Sequence, residues 1–154
     1  MRFTSLLTTL ALTASTAHAA MIVVHNNCNF TVWYTSVGSG DPPKPDDLPA
    51  GLWGTALQYH DGTGTAVKFT RTYDGIWANK PVLHFTYDYK KGESIYYGIS
   101  THNGFDFWGE KITLEGEEGK GAEEIVWDGV PGPDHTAAYL KGEIDLTFTL
   151  CADE

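Results

Sequence analysis

The stretch from Thr101 to Glu110 brings aromatic, acidic and imidazole side chains together within ten residues. Aromatic faces stack on sugar rings, and charged groups beside them fix the orientation of a ligand, as in most concave binding sites. A simpler interpretation is a loop whose aromatic rings cap one end of the folded core. The candidate ligand-binding residues are His102, Asp106, Phe107, Trp108 and Glu110.

Two of these residues, Asp106 and Glu110, also allow a hydrolytic interpretation. A glycoside hydrolase needs two carboxylates about 5–9.5 Å apart across a cleft, and burial raises the pKa of one of them. A small glucan-active hydrolase is therefore the alternative to a protein without catalytic activity. The sequence favours the non-enzymatic interpretation, and no catalytic residue is assigned.

Further acidic residues crowd the chain after Glu110. They are interspersed with glycines and offset only by Lys111 and Lys120, which favours a solvated, charged loop. Carboxylates and carbonyls can also bind calcium weakly, but the spacing of an EF-hand is absent. We therefore predict no metal site and no cofactor. The acidic residues are Glu115, Glu117, Glu118, Glu123 and Glu124.

A copper-dependent oxidative enzyme is a further alternative, and it depends on His18. A histidine at the N-terminus can chelate copper through its amine and its ring, with a second histidine completing the site. This arrangement requires cleavage after Ala17, whereas Ala17-His18-Ala19 is the better cleavage pattern. The other histidines lack HxH and HExxH spacing and are expected to be surface or hydrogen-bonded residues. They are His25, His60, His84 and His135.

The first 19 residues have the pattern of a secretory signal peptide. Arg2 supplies a positive start, an apolar stretch runs from Leu6 to Leu12, and Ala17-His18-Ala19 is a small-x-small cleavage pattern. The apolar stretch is shorter than the roughly 20 residues that span a membrane. We therefore predict a signal peptide at 1–19 and one domain at 20–154, located outside the cell or in the cell wall.

The charge of the chain limits its partners. Acids outnumber bases by 20 to 10, and loss of Arg2 with the signal peptide changes the net charge from −10 to −11. Nucleic acids and anionic lipid surfaces are bound through basic patches, so neither is expected as a partner. Apolar residues at 42% and aromatic residues at 13% argue against disorder. The length fits one domain, which we expect to be monomeric.

The chain has two cysteines, Cys28 and Cys151, separated by 123 positions. In an exported protein such a pair usually closes a disulfide, and two free thiols are the alternative. Chain-entropy estimates for a loop of this length are about 4–5 kcal/mol. Beside Cys28, Asn29-Phe30-Thr31 is an N-glycosylation motif. Its occupancy requires that Asn29 faces solvent.

Strand-like segments recur at intervals of about 8–12 residues, separated by turns rich in glycine and proline. Alternation is clearest in Val82–Tyr89, and no window has a helical period. Asp41–Pro49 contains four prolines and is predicted to be a loop. The pattern predicts an all-β protein, an antiparallel β-sandwich. The predicted strands are Ile22–Val24, Phe30–Val37, Thr55–His60, Thr65–Thr72, Val82–Tyr89, Ser94–Ser100, Trp108–Glu115, Ile125–Trp127 and Asp145–Cys151.

Both ends of the chain resemble thaumatin-like proteins. His25–Trp33 (HNNCNFTVW) resembles their opening strand pair, and Asp145–Cys151 resembles their last strand, whose cysteine pairs with the first one. The segments between are similar to a family of small fungal secreted proteins named after the yeast-phase-specific protein of Blastomyces. These segments are Ser36–Ser39, Ala66–Thr70, Asp74–Trp77, Ile95–Ser100, Gly104–Phe107 and Ile125–Gly132.

The resemblance implies a thaumatin-like β-sandwich in a secreted, cell-surface or host-contact setting, and it does not imply an enzyme. Such proteins usually carry a second cysteine pair, but Gly121–Glu124 and Lys141–Glu143 hold no cysteine here. The acidic cleft residues of plant thaumatin-like proteins have no matching positions. We predict a secreted, non-enzymatic glycoprotein, with a cell-wall glycan or a host surface protein as its partner.

Overall fold

Strands form the regular structure of residues 20–58 and 62–153, the part of the chain that the computed structural model describes. These residues contain no α-helix, so this part of the chain has no helix that is long and apolar enough to cross a bilayer. The predicted signal peptide with His18, and also His60, lie outside the described residues. The strands are β1 (Met21–Asn26), β2 (Val32–Val37), β3 (Asp46–Leu48), β4 (Trp53–Leu57), β5 (Thr65–Thr70), β6 (Val82–Lys90), β7 (Ser94–His102), β8 (Lys111–Gly116), β9 (Ile125–Asp128), β10 (His135–Tyr139) and β11 (Leu146–Leu150).

Two sheets pack face to face, which confirms the predicted all-β sandwich. The five-stranded sheet has the order β4-β1-β11-β8-β9, and the six-stranded sheet has the order β10-β7-β6-β5-β2-β3. Neighbouring strands run antiparallel except for β1 and β11, which pair in parallel from Ile22 with Leu146 to Asn26 with Leu150. Parallel neighbours need a long crossover connection, and here the chain from β2 to β10 provides it.

The core lies between the inner faces of the two sheets. The ring of Phe148 on β11 stacks against Phe69 on β5, with centroids 5.1 Å apart, and against Phe85 on β6 at 5.4 Å. Along β6 the alternate residues Leu83, Phe85, Tyr87 and Tyr89 are all buried. This agrees with the alternation of Val82–Tyr89 in the sequence, because successive side chains of a strand point to opposite sides of the sheet.

A disulfide between Cys28 and Cys151 joins the two ends of the chain, with Cα atoms 4.9 Å apart. Strand β11 ends at Leu150, and Cys151 follows in a left-handed conformation with φ of 54°. This turn takes the cysteine out of the alternation of the strand. Asn27 donates its backbone N–H to Leu150 O at 3.0 Å and its side-chain Nδ2 to Cys151 O at 2.9 Å.

Asn26 is fully buried and organises the start of the chain. Its side-chain Nδ2 donates to Phe30 O at 2.9 Å and to Leu48 O at 2.7 Å, while Oδ1 accepts from the Cys28 N–H at 3.2 Å. A buried amide that satisfies its hydrogen bonds in this way fixes the segments it contacts. Asn26 therefore sets the turn from β1 to β2 and holds the end of β3 against it.

The prediction that Asp41–Pro49 is only a loop is wrong at Asp46–Leu48, which forms β3 and pairs with β2. This strand lies at the edge of the six-stranded sheet, where flanking prolines need no partner for their missing N–H groups. Strand β10 was also not predicted from the sequence. It is short and follows Pro131 and Pro133, and pairing with β7 provides its hydrogen bonds.

Ala122, within Gly121–Glu124, and Ile144, directly after Lys141–Glu143, meet at Gly116. A Cβ atom at this glycine would lie 2.5 Å from Ala122 Cβ and 2.8 Å from Ile144 Cδ1. Ile144 is buried in the core and Ala122 packs against it. Close apolar packing therefore joins the two segments in this chain.

Loss of the disulfide should destabilise the fold strongly. The double substitution Cys28→Ser and Cys151→Ser should lower the free energy of unfolding by about 2–4 kcal/mol, because the unfolded chain is then no longer closed into a long loop. Denaturant unfolding of the oxidised protein and of this variant measures the difference. A change below about 0.5 kcal/mol would show that strand pairing alone holds the ends together.

Candidate functional site

The loop between β7 and β8 places its two phenylalanines in the core. Phe107 is 1% exposed and Phe105 is 6% exposed. The Phe105 ring contacts Trp127 edge to face at 5.8 Å, and the Phe107 ring lies 6.3 Å from Phe30. Assignment of Phe107 to a ligand-binding surface is therefore wrong, because its ring is used to close the end of the sandwich.

The other candidates in this loop each make a different local contact. Trp108 is 64% exposed, with one edge of its ring against Phe105. His102 lies at the exposed end of β7 and its ring is parallel to that of His84 at 6.4 Å. The backbone oxygen of Asp106 accepts a hydrogen bond from Arg71 at 3.1 Å, and the N–H of Glu110 donates to Phe107 O. These contacts form a cap with one exposed tryptophan.

The acidic residues after Glu110 lie on the surface. Glu115, Glu117, Glu118, Glu123 and Glu124 are all exposed. Lys120 Nζ lies 3.8 Å from Glu117 Oε1, and His135 Nε2 lies 2.6 Å from Glu123 Oε1. Within the described residues, no group of three or more His, Cys, Asp or Glu side chains is placed to hold a metal ion. The acidic stretch is therefore the solvated, charged surface that the glycines indicated.

An open groove of about 490 Å³ lies on the outer face of the six-stranded sheet. Strand register places Ala66, Thr86, Gly98 and Thr136 in one row across β5, β6, β7 and β10. The neighbouring pair, Asp88 and Tyr96, continues the same face. The groove was not predicted from the sequence. Alternation along β6 identified its outward-facing residues, but not the strands beside them.

Strand β10 approaches β7 closely beside the groove. A Cβ atom at Gly98 would lie 2.6 Å from the backbone oxygen of His135, so a side chain does not fit at this position. The β10 backbone occupies that space, and Thr136 of the same strand lines the groove. Tyr96, with 44% of its surface exposed, lines the groove from β7.

The described residues of the groove combine hydroxyls, one ammonium group, one carboxylate and an exposed aromatic ring. Thr86 and Thr136 supply hydroxyls, Lys68 is the cation and Asp88 the anion, and Tyr96 supplies the ring. The Thr86 hydroxyl also donates weakly to Gly98 O at 3.4 Å. Aromatic rings, together with a few polar groups, are the usual components of a ligand site.

His84 lies next to the groove on β6, directly opposite Lys68 on β5. Burial is the main cause that lowers its pKa to about 4, and the positive charges of Lys68 and His102 lower it further. The imidazole is therefore neutral at the pH of most extracellular fluids. It can accept or donate one hydrogen bond there without adding charge to the groove.

Comparison with known proteins gives one family and one fold. The sequence model of the Blastomyces yeast-phase-specific protein matches residues 8–152. The crystal structure of the protein elicitor MoHrip2 from Magnaporthe oryzae is 22% identical with a TM-score of 0.69, over 87% of this chain and 100% of that chain. The thaumatin-like xylanase inhibitor TLXI is 13% identical with a TM-score of 0.62, over 85% and 99% of the two chains. No curated protein sequence matches significantly.

The structural matches confirm the thaumatin-like fold that the ends of the sequence suggested. At these identities the likeness concerns the fold and carries no site residues from one protein to another. The lysine, threonine and tyrosine side chains of the groove are therefore assessed by their own chemistry.

The stability of the protein should fall in acid because of His84. Unfolded histidine titrates near pH 6.5 and folded His84 near pH 4, so between these values the unfolded state binds a proton that the folded state lacks. Unfolding temperatures measured from pH 7 to pH 4 should therefore decrease more in the parent than in His84→Asn. Titration by NMR should place the His84 pKa near 4.

Lys68→Met should raise the pKa of His84 towards its usual value, because one repelling charge is removed while burial remains. Lys141→Met, at an exposed lysine in the β10–β11 loop, is the matched control and should leave it unchanged. A His84 pKa near 6.5 in the parent protein would contradict the burial of this imidazole.

Proposed function

The chain belongs to the Blastomyces yeast-phase-specific protein family, and from this we propose that it is a secreted, non-enzymatic extracellular protein that binds a neutral cell-wall glycan. The binding surface is the groove on the outer face of the six-stranded sheet. The observation that carries the proposal is the combination in this groove of an exposed tyrosine ring with hydroxyl and charged groups on a shallow, open floor.

The shape of the groove suits an extended chain better than a compact ligand. Its volume of about 490 Å³ falls within the range of about 300–1,000 Å³ that is typical of ligand sites. The floor crosses β5, β6, β7 and β10 and is open to solvent, so a polymer can enter and leave without a terminal sugar. Cell-wall glycans present such internal stretches of chain.

The chemistry of the groove suits a neutral sugar. One face of a pyranose ring carries C–H groups that pack on an aromatic ring, here Tyr96, and its hydroxyls both donate and accept hydrogen bonds. Thr86 and Thr136 can do both, while Lys68 donates and Asp88 accepts. A net charge of −10 disfavours acidic polysaccharides, because like charges repel at the surface.

The acidic residues support binding without hydrolysis. A retaining or inverting glycosidase requires two carboxylates on opposite sides of the bond that is cleaved. Among the described residues that line the groove, Asp88 is the one carboxylate. Asp106 and Glu110, the pair considered from the sequence, belong instead to the loop that caps the core.

Other features support export, although they do not identify a ligand. The Cys28–Cys151 disulfide suits an oxidising compartment. Asn29 is exposed at the turn after β1, so its glycosylation motif is accessible and we propose that it is modified. The two proteins of similar fold are described as an elicitor and as an inhibitor, and neither description is of a catalyst.

Removal of the Tyr96 ring should weaken glycan binding. Tyr96→Ala should reduce retention on insoluble β-1,3-glucan by about 5- to 10-fold, the scale expected for one aromatic contact of about 1 kcal/mol or slightly more. Thr86→Val, which removes a hydroxyl at nearly constant volume, should reduce it less. Binding isotherms of secreted protein on glucan and on chitin measure both effects.

Trp53→Ala is the matched control, because Trp53 is exposed at 58% but lies on the five-stranded sheet. It should leave retention unchanged, and Trp108→Ala should do the same. Equal retention of Tyr96→Ala and the parent protein would overturn the proposed surface. Release of reducing sugar from β-1,3-glucan that is lost in Glu110→Gln would overturn the non-enzymatic assignment.

A further inference from the structure

Ala20, the residue before β1, lies at a recess that is lined by carboxylates. It is 5% exposed, and its backbone oxygen accepts a hydrogen bond from the Gln58 N–H at 2.9 Å. The recess has a volume of about 280 Å³. The residues that line it with Ala20 are Glu117, Glu143, Ile144 and Asp145. Three of these four carry carboxylates.

The carboxylates approach the start of β1 from two segments. Asp145 Oδ1 accepts the Met21 N–H at 2.8 Å, and consecutive backbone nitrogens are less than about 4 Å apart, so this carboxylate lies within about 7 Å of the Ala20 nitrogen. Glu143 Oε1 accepts from the Tyr89 hydroxyl at 2.7 Å. Glu117 lies near Lys120, with both side chains about half exposed.

Gln58 provides an independent indication that a donor belongs here. Gln58 is 7% exposed, and its Nε2 donates to Met21 O at 3.2 Å and to Ile144 O at 2.8 Å. Ile144 is one of the residues that line the recess. Its Oε1 atom is buried and accepts no hydrogen bond among the described contacts. Buried amide oxygens are nearly always hydrogen-bonded, so this acceptor, on the amide that bonds Met21 and Ile144, lacks a donor.

We propose that the mature chain begins at Ala20 and that its α-ammonium group occupies this recess. Hydrolysis of the 19–20 peptide bond by a signal peptidase adds water across it. The carboxyl group leaves with residue 19, and the amine of Ala20 takes up a proton. One amide N–H is thereby replaced by three N–H donors and a positive charge. These donors serve the carboxylates and Gln58 Oε1.

This assignment selects one cleavage bond among the alternatives. A chain beginning at His18 would keep a neutral amide at Ala20, and a chain beginning at Met21 would lack Ala20 and carry its ammonium group at the nitrogen that contacts Asp145 Oδ1. The cleavage itself rests on the export proposed above. The interaction of the ammonium group with the recess does not, and it can be measured on protein refolded with a defined first residue.

The contribution to stability should be lost in alkali. A free α-amino group titrates near pH 7.7–8.0, and nearby carboxylates raise its pKa in the folded state. The stabilisation is therefore complete below about pH 8 and disappears as the pH rises through the folded-state value. The charged groups that face Ala20 are Glu117, Glu143 and Asp145, with Lys120 beside Glu117. Tyr89 stays neutral, because burial and its bond to Glu143 raise its pKa to about 12.

The experiment compares proteins that differ only at the first residue. One begins at Ala20, a second carries an acetyl group on Ala20, and a third carries one additional glycine before it. At pH 7 and low salt the unmodified form should unfold about 2–5 °C higher than the other two. The difference should vanish near pH 11 and should shrink in high salt. Equal unfolding temperatures at pH 7 would overturn the proposal.

Two further measurements identify the partners and the bond. In the double variant Glu117→Gln and Glu143→Gln, the difference in unfolding temperature between the free and acetylated forms should fall to less than half of its original value. The control Glu124→Gln changes a residue outside the recess and should preserve this difference. An undiminished difference in the double variant would overturn the carboxylate assignment. N-terminal sequencing of secreted protein should give Ala20, and a start at His18 or Met21 would overturn the assigned bond while leaving the glycan proposal untouched.

Discussion

The parallel pairing of β1 with β11 is the constraint on which the remaining structure depends. These are the first and last strands and the middle of the five-stranded sheet, so that sheet cannot be completed before they meet. Bringing residues so distant in sequence together costs chain entropy. The Cys28–Cys151 disulfide, the hydrogen bonds of Asn27 and the burial of Phe148 between the sheets offset that cost.

Closure of the ends determines which surfaces are left for function. The inner faces of both sheets are used in the core, and Phe105 and Phe107 seal one end of it. The outer face of the six-stranded sheet is free of this requirement, so it can carry a polar groove at little cost in stability. Gly98 allows β10 to lie close to β7, so that Thr136 of β10 lines the groove. The candidate binding surface therefore follows from the order of β10, β7, β6 and β5 in the six-stranded sheet, whose inner face forms part of the core.

Local pattern in the sequence predicts much of the fold and little of the site. Alternation gives the buried face of β6, and the terminal motifs give the thaumatin-like sandwich and its disulfide. Strand β3 escapes prediction because Asn26 and pairing with β2, not propensity, hold it in place. Phe107 and Trp108 are equally aromatic in sequence, and only packing against Phe30 shows which one is buried. The groove depends on the register of four strands, which no single segment encodes.

Glycan binding by the outer face of the six-stranded sheet is tested most directly by titrating a soluble β-1,3-glucan oligosaccharide into ¹⁵N-labelled protein and mapping the amide shifts. We expect the largest changes at Lys68, Thr86, Tyr96 and Thr136, with the amide of Trp108 nearly unchanged. Amide shift changes confined to residues 103–110, or no shift change at a saturating glucan concentration, would contradict glycan binding at the groove.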